Sequence, residues 1–265
     1  MKNNINHKLI ALIVTALGAF AVLSESALAD VYWNGGTSSD WSLAANWTGG
    51  LPSIGGAGNA IVNPGSPFAT PVVSTAGNTT AGQIYISIGA GLDVVSGGQL
   101  STSDLITGNF GNSAAVSVSG GALFLSGLLN IGAAGYLGDV NISGGSVTSG
   151  SLSINTTAGA KMDISGSVSF ITASSQLGNV NYWIANNAIT ANGGAPGWTI
   201  NVDTTSQVNS LILTAMAVPE PSTLALFAVG VIGLLGLMTK YRRQNRPETN
   251  IHSMPNHLKS QEALG

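Results

Sequence analysis

Ser96-Gly97-Gly98 recurs as Ser119-Gly120-Gly121 and as Ser143-Gly144-Gly145, and a weaker copy stands at 165–166. The serines of these copies are separated by 23, 24 and 22 residues. An alternating apolar pair precedes each copy, and these pairs are Leu92 and Val94, Val116 and Val118, Val140 and Ile142, and Met162 and Ile164. Further apolar positions follow each copy, so each repeat contains three short apolar stretches separated by glycine-rich corners.

This repeat predicts an all-β fold, a parallel β-helix (solenoid) of about 22–24 residues per coil. Period-2 alternation turns one set of side chains inward, and glycine permits the sharp bend between strands. Stacked coils would align Val116, Val140 and Met162 as an internal ladder. A β-sandwich or a β-roll remains the alternative architecture. We assign residues 76–217 to the solenoid and its closing strands.

The composition of the chain excludes most kinds of catalysis. Only 7% of the 265 residues are charged, there is no Cys, and residues 30–217 contain no His, Glu or Arg. This region therefore has no His to act as the base of a nucleophilic triad and no His or Cys to bind zinc. It also has no basic patch that could bind nucleic acid. We therefore expect a protein that is not an enzyme and that uses no cofactor and no metal.

The first 29 residues have the pattern of a signal peptide. Lys2 and Lys8 precede the apolar run 9–23, and Ala27-Leu28-Ala29 forms a small-x-small site. This order predicts a signal helix and cleavage by signal peptidase before Asp30. An uncleaved membrane anchor is the alternative, although the apolar run is short for a stable span.

The C-terminal region has a second, different targeting pattern. Val218-Pro219-Glu220-Pro221-Ser222 is followed by an uncharged apolar run and then by a basic cluster, which consists of Lys240, Arg242, Arg243 and Arg246. The pattern predicts a transmembrane helix at 223–239 with its basic end in the cytoplasm. We expect residues 244–265 to form a disordered cytoplasmic tail.

Residues 218–243 resemble the PEP-CTERM sorting signal of Gram-negative bacteria in the order of Pro-Glu-Pro, apolar run and basic cluster. The resemblance implies recognition by exosortase, which would cut near the motif and pass the ectodomain to the cell envelope or extracellular matrix. Pro219, Glu220 and Pro221 would then be substrate residues. The chain departs from the family pattern because it continues from the basic cluster to Gly265.

Three tryptophans, Trp33, Trp41 and Trp47, distinguish residues 30–75 from the repeats. Their spacing resembles the segment that opens autotransporter-like and PEP-CTERM β-solenoid ectodomains. The rings could cap the exposed end of a solenoid, or they could form an aromatic platform for sugar rings. Trp183 and Trp198 could close the other end in a similar way.

An aspartate-only site is the one catalytic arrangement left. A glycosidase needs two carboxylates beside the scissile bond, and Asp93, Asp139 and Asp163 stand near the corners, with Lys161 as the single cation of residues 30–217. Counted from the serine of each repeat, the three aspartates fall out of register. We expect solvated carboxylates, and the missing D-x-D-x-D-G pattern argues against a calcium loop.

The sequence therefore predicts a non-catalytic exported protein with a structural or adhesive role. It would begin as an inner-membrane precursor and then reach the envelope surface or the extracellular matrix of a biofilm, with exopolysaccharide as a partner. A carbohydrate-binding module that uses the three tryptophans is the alternative, and an Asp-dependent glycan-cleaving enzyme is the third possibility.

Overall fold

The structure, a computed structural model, describes residues 29–52, 58–63, 69–80, 82–111, 113–218 and 223–244. The chain divides into two compact units, Met1–Val218 and Pro219–Gly265. The predicted signal helix, up to residue 28, and the predicted tail from residue 245 lie outside the described residues.

The first unit is mostly β. In its described residues, sixteen strands belong to one hydrogen-bonded sheet. The strands are β1 (Val31–Trp33), β2 (Trp47–Thr48), β3 (Ala60–Val62), β4 (Val72–Val73), β5 (Asn78–Thr79), β6 (Ile84–Ile86), β7 (Gly91–Val94), β8 (Gln99–Thr102), β9 (Leu105–Thr107), β10 (Ala114–Ile131), β11 (Gly138–Ile154), β12 (Lys161–Ile164), β13 (Ser169–Ala173), β14 (Ile189–Ala191), β15 (Trp198–Asp203) and β16 (Ser210–Ala217). One helix, α1 (Leu177–Ala185), separates β13 from β14.

Each repeat pairs in parallel with the next repeat along the chain. Strand β10 lies beside β7, β8 and β9 on one side and beside β11 on the other. Val116 is the register partner of Val140, which in turn is the partner of Met162. The ladder predicted from the repeat is therefore present.

Three rows of apolar side chains form the core. The first row contains Leu92, Val116, Val140 and Met162; the second contains Leu100, Leu123, Val147 and Phe170; the third contains Ile84, Leu105, Leu129 and Leu152. All of these side chains are buried. Full burial of one large aliphatic side chain contributes about 1.5–3 kcal/mol, so the three rows hold the repeats together.

The end of the first unit departs from the parallel pattern that the repeat predicts. Strand β16 runs antiparallel to both β13 and β15. Helix α1 turns Val180 and Trp183 into the core. Trp183 is therefore buried, as a closing residue would be, whereas Trp198 at the start of β15 is 40% exposed.

The second unit contains helix α2 (Thr223–Gln244), which includes the predicted span 223–239 and continues through Lys240. Across the residues that the structure describes, none of the helices has the length and apolar character required to cross a membrane. The predicted transmembrane helix is therefore not confirmed.

The glycine corners stack directly on one another. A Cβ atom on Gly121 would stand 2.5 Å from the carbonyl oxygen of Gly98, which is far inside van der Waals contact. A Cβ on Gly98 would overlap the carbonyl oxygen of Val73, and one on Gly145 would overlap that of Gly121. Only glycine lets neighbouring repeats approach this closely.

We predict that Gly121→Ala lowers the free energy of unfolding by about 2–3 kcal/mol, because the added methyl group pushes two repeats apart. Gly178→Ala is the matched control, since a Cβ at that position in helix α1 meets no atom within 4 Å. The control should match the original chain or exceed it by about 1 kcal/mol at most. Urea unfolding followed by circular dichroism measures both, and equal midpoints for the two variants would contradict the stacking argument.

Candidate functional sites

The predicted exosortase motif lies at the boundary between the two units. Val218 is the last residue of the first unit, and its amide donates to the carbonyl oxygen of Gly197 at 2.8 Å. Pro219, Glu220, Pro221 and Ser222 lie outside the described residues. In the basic cluster, Lys240, Arg242 and Arg243 belong to helix α2, whereas Arg246 is not described.

The residues beside the predicted signal-cleavage bond lie next to the start of β3. The carbonyl oxygen of Ala29 accepts from the amide of Gly58 at 2.8 Å. The carboxylate of Asp30 accepts from the amide of Asn59 at 2.9 Å. Ala27 is outside the described residues. Asp30 is thus the first side chain with a described contact in the sheet.

The three tryptophans of the N-terminal region form one buried cluster. The rings of Trp33 and Trp47 meet edge to face with their centroids 5.1 Å apart, and those of Trp41 and Trp47 do so at 4.7 Å. The indole N–H of Trp47 donates to the carbonyl oxygen of Trp41 at 2.9 Å, and that of Trp33 donates to Ala69 at 2.8 Å. Both donors are therefore satisfied, as buried indoles require.

Burial decides what this cluster can do. Trp41 is 1% exposed, and Trp33 and Trp47 are each 4% exposed. A sugar ring can stack only on an aromatic face that solvent reaches, so these rings offer no platform as they stand. Their position at the start of the sheet favours the cap interpretation.

Asn46 supports the tryptophan cluster, and the sequence analysis did not identify it. This side chain is fully buried. Its amide oxygen accepts from the amides of Thr37 and Ser38 at 3.1 and 3.0 Å, and its amide nitrogen donates to the carbonyl oxygen of Asp40 at 2.8 Å. The sequence carries no signal for this role, because a polar residue next to a buried one is expected to face solvent in an extended chain.

We predict that Trp41→Ala lowers the free energy of unfolding by about 3–5 kcal/mol, as large-to-small changes in a core do. Trp47→Phe keeps an aromatic ring but removes the donor to Trp41, so we expect a loss of about 1–2 kcal/mol. Trp198→Ala, at a partly exposed ring, is the control and should cost less than either. A Trp41→Ala protein with the original thermal midpoint would argue against a cap.

The aspartates are placed differently from the sequence prediction. Asp93, Ser117, Asn141 and Asp163 are successive register partners in one outward row. The prediction that Asp93 and Asp163 are out of register was therefore wrong. Strands β10 and β11 lie between them, so the two aspartates are separated by three inter-strand spacings of about 4.8 Å, or roughly 14 Å. Paired catalytic carboxylates of glycosidases stand about 5–9.5 Å apart, so this row does not supply such a pair.

The neighbours of Asp139 and Asp163 are residues of adjacent strands and turns. Asp139 lies in a neighbouring row, where Lys161 is its register partner. The carboxylate of Asp163 accepts from the hydroxyl of Thr190 at 2.7 Å and from the amide of Gly193 at 2.6 Å. Among the residues that the structure describes, no three His, Cys, Asp or Glu side chains lie close enough together to hold a metal ion.

Burial raises the pKa of the Asp93 carboxyl above its ordinary value. An acid whose folded-state pKa is raised favours folding in its protonated form, so its stabilising effect is lost as the pH rises through the folded pKa. We predict that Asp93→Asn, which removes the buried charge, raises the thermal midpoint at pH 7 by about 1–2 °C. The difference should shrink as the pH falls towards about 4, because the raised pKa means that the native carboxyl takes up its proton above the ordinary pKa of an aspartate. A midpoint difference that is the same at pH 3 and pH 7 would contradict this.

The comparisons with known proteins identify the sorting signal. A family model described as the PEP-CTERM protein-sorting motif matches residues 217–243, and the match confirms the resemblance noted at 218–243. The chain therefore carries the signal of an exported protein that exosortase processes at a membrane. A search of curated proteins and a search of solved structures each found no match. The resemblance to autotransporter-like ectodomains is thus not supported.

Proposed function

We propose that this chain is a non-catalytic surface or matrix protein whose β unit exosortase releases at the Pro-Glu-Pro motif. The released unit then has a structural or adhesive role in the cell envelope or the exopolysaccharide matrix. The observation that carries the proposal is the position of the sorting signal. It begins at residue 217, and the compact β unit ends at Val218.

The described pairing supports a solenoid as the form of the β unit. Successive repeats pair in parallel register, and each repeat adds one buried side chain to each apolar row. A stack of this kind grows along one axis and presents a long, repetitive outer surface. Such a rod suits a spacing or packing role in a matrix.

The chemical inventory supports a role without catalysis. Residues 30–217 contain no His, Cys, Glu or Arg. The outward row that contains Asp93 and Asp163 separates the two carboxylates by two intervening strands. The row that contains Asp93 and Asp163 therefore offers the glycan-cleaving alternative no closely spaced carboxylate pair, and Trp33, Trp41 and Trp47 offer the tryptophan alternative no exposed ring.

The order of processing forms part of the same proposal. Signal peptidase removes residues 1–29 and leaves Asp30 at the new N-terminus. The apolar run up to Thr239 and the basic residues from Lys240 hold the precursor at the inner membrane until exosortase acts. Residues 244–265 stay on the cytoplasmic side and remain with the membrane-held C-terminal segment when the β unit is released.

The test is the mass of the mature protein in a bacterium that contains exosortase. We predict cleavage before Asp30 and a new C-terminus within or next to residues 218–222. Replacing Pro219, Glu220 and Pro221 together by Ala should abolish the second cleavage and leave the chain in the membrane fraction. Gln207→Ala, at an exposed position outside residues 217–243, is the control and should be processed normally. Recovery of the unaltered chain only with its C-terminal region intact would overturn the proposal.

A further inference from the structure

The strands that follow the glycine corners present an outer face without charge. Segments 96–103, 119–127 and 143–151 contain no Asp, Glu, Lys or Arg. Their side chains alternate, so that Leu100, Leu123 and Val147 are buried and the residues between them face outward. The outward residues form the hydroxyl face, which we define as Thr79, Gln99, Ser101, Ser103, Ala122, Phe124, Ser126, Ser146 and Thr148.

A groove of about 600 Å³ lies on the hydroxyl face. Phe124 contributes to its wall and is 44% exposed. Ser101 on β8 and Thr148 on β11 are the register partners of Phe124 on either side. With strands about 4.8 Å apart, one aromatic ring therefore stands between two hydroxyl-bearing side chains in a single row.

Seven hydroxyl-bearing residues line the groove. The hydroxyls of Thr80, Thr102 and Ser103 donate to the carbonyl oxygen of Gly82 at 3.3, 2.8 and 3.0 Å, so they serve the fold. Those of Ser101 and Thr148 have no side-chain partner within the part of the chain that the structure describes. These two remain free to donate to a ligand and to accept from one.

We propose that this groove binds a neutral polysaccharide chain, with one sugar ring stacked on Phe124 and its hydroxyl groups bonded to Ser101 and Thr148. The inference rests on the proposed matrix role and assigns a site to it. The face of an aromatic ring carries partial negative charge, which attracts the weakly positive C–H groups on the flat side of a sugar. The serine and threonine hydroxyls both donate and accept, as the hydroxyl groups of a sugar require.

The groove favours a neutral glycan over other occupants. An anionic polymer would leave its charges without a counter-charge, because the segments that form the face contain none. The volume lies within the range of about 300–1,000 Å³ for small-ligand sites. A stable contact with a second copy of the chain would instead need about 800 Å² from each partner.

The experiment measures retention of the full-length chain on insoluble cellulose and its affinity for soluble dextran, with the anionic polymer alginate for comparison. We expect binding to at least one neutral polymer and none to alginate. Phe124→Ala should weaken binding about tenfold, and Phe124→Tyr, which keeps the ring, should retain it. Ser101→Ala combined with Thr148→Ala should weaken binding severalfold.

Phe110→Ala is the matched control, because Phe110 is also an exposed phenylalanine, at 54%, but does not line the groove. Equal binding by the Phe124→Ala and Phe110→Ala proteins would overturn the site. So would binding to neither neutral polymer, tighter binding to alginate, or self-association that Phe124→Ala abolishes in sedimentation. If processing at the Pro-Glu-Pro motif is normal in the same experiments, any of these results would contradict the groove as a binding site but not the proposed function.

Discussion

The close approach of neighbouring repeats at the glycine corners is the constraint on which the β unit depends. At Gly98, Gly121 and Gly145, the backbone of one repeat occupies the space that a side chain would need in the next. Glycine is therefore required at these three positions, whatever residue contributes the facing carbonyl group. The parallel pairing of the strands on both sides of the corners aligns the three apolar rows. No repeat buries its apolar side chains alone, so the core is stable because the rows of neighbouring repeats stay aligned.

A stack of repeats has two ends, and the chain forms a different structure at each of them. At the first end, β1 and β2 pair antiparallel, and the three tryptophan rings form a buried cluster in which the indole N–H groups of Trp33 and Trp47 donate to carbonyl oxygens. At the other end, helix α1 adds Val180 and Trp183 to the core. Strands β16 and β15 then turn antiparallel. Both ends therefore depart from the parallel pairing of the repeats.

The repeat predicted the row Val116, Val140 and Met162 because the interval is nearly constant there. It failed for Asp93, which was counted from Ser96. Residue Val95 is inserted between the buried Val94 and Ser96, whereas Val118 and Ile142 stand directly before their serines. The strands keep register and the corner absorbs the extra residue, so a count from the corner is wrong by one. Helix α1 was not predicted because its nine residues follow no repeat and no side chain caps its start.

Function in such a unit depends on the outward side chains, because glycine corners and apolar rows are shared by every repeat. Most outward positions carry small hydroxyl or amide groups that water solvates as well as any ligand would. In its row, Phe124 lies between Ser101 and Thr148, and the row continues to Thr79 on one side and to the apolar Ile171 on the other. Neither the corner nor the core requires a phenylalanine there, and leaving it 44% exposed costs solvation free energy. A residue that breaks the repeat without serving the fold is where a specific contact of this surface is to be sought.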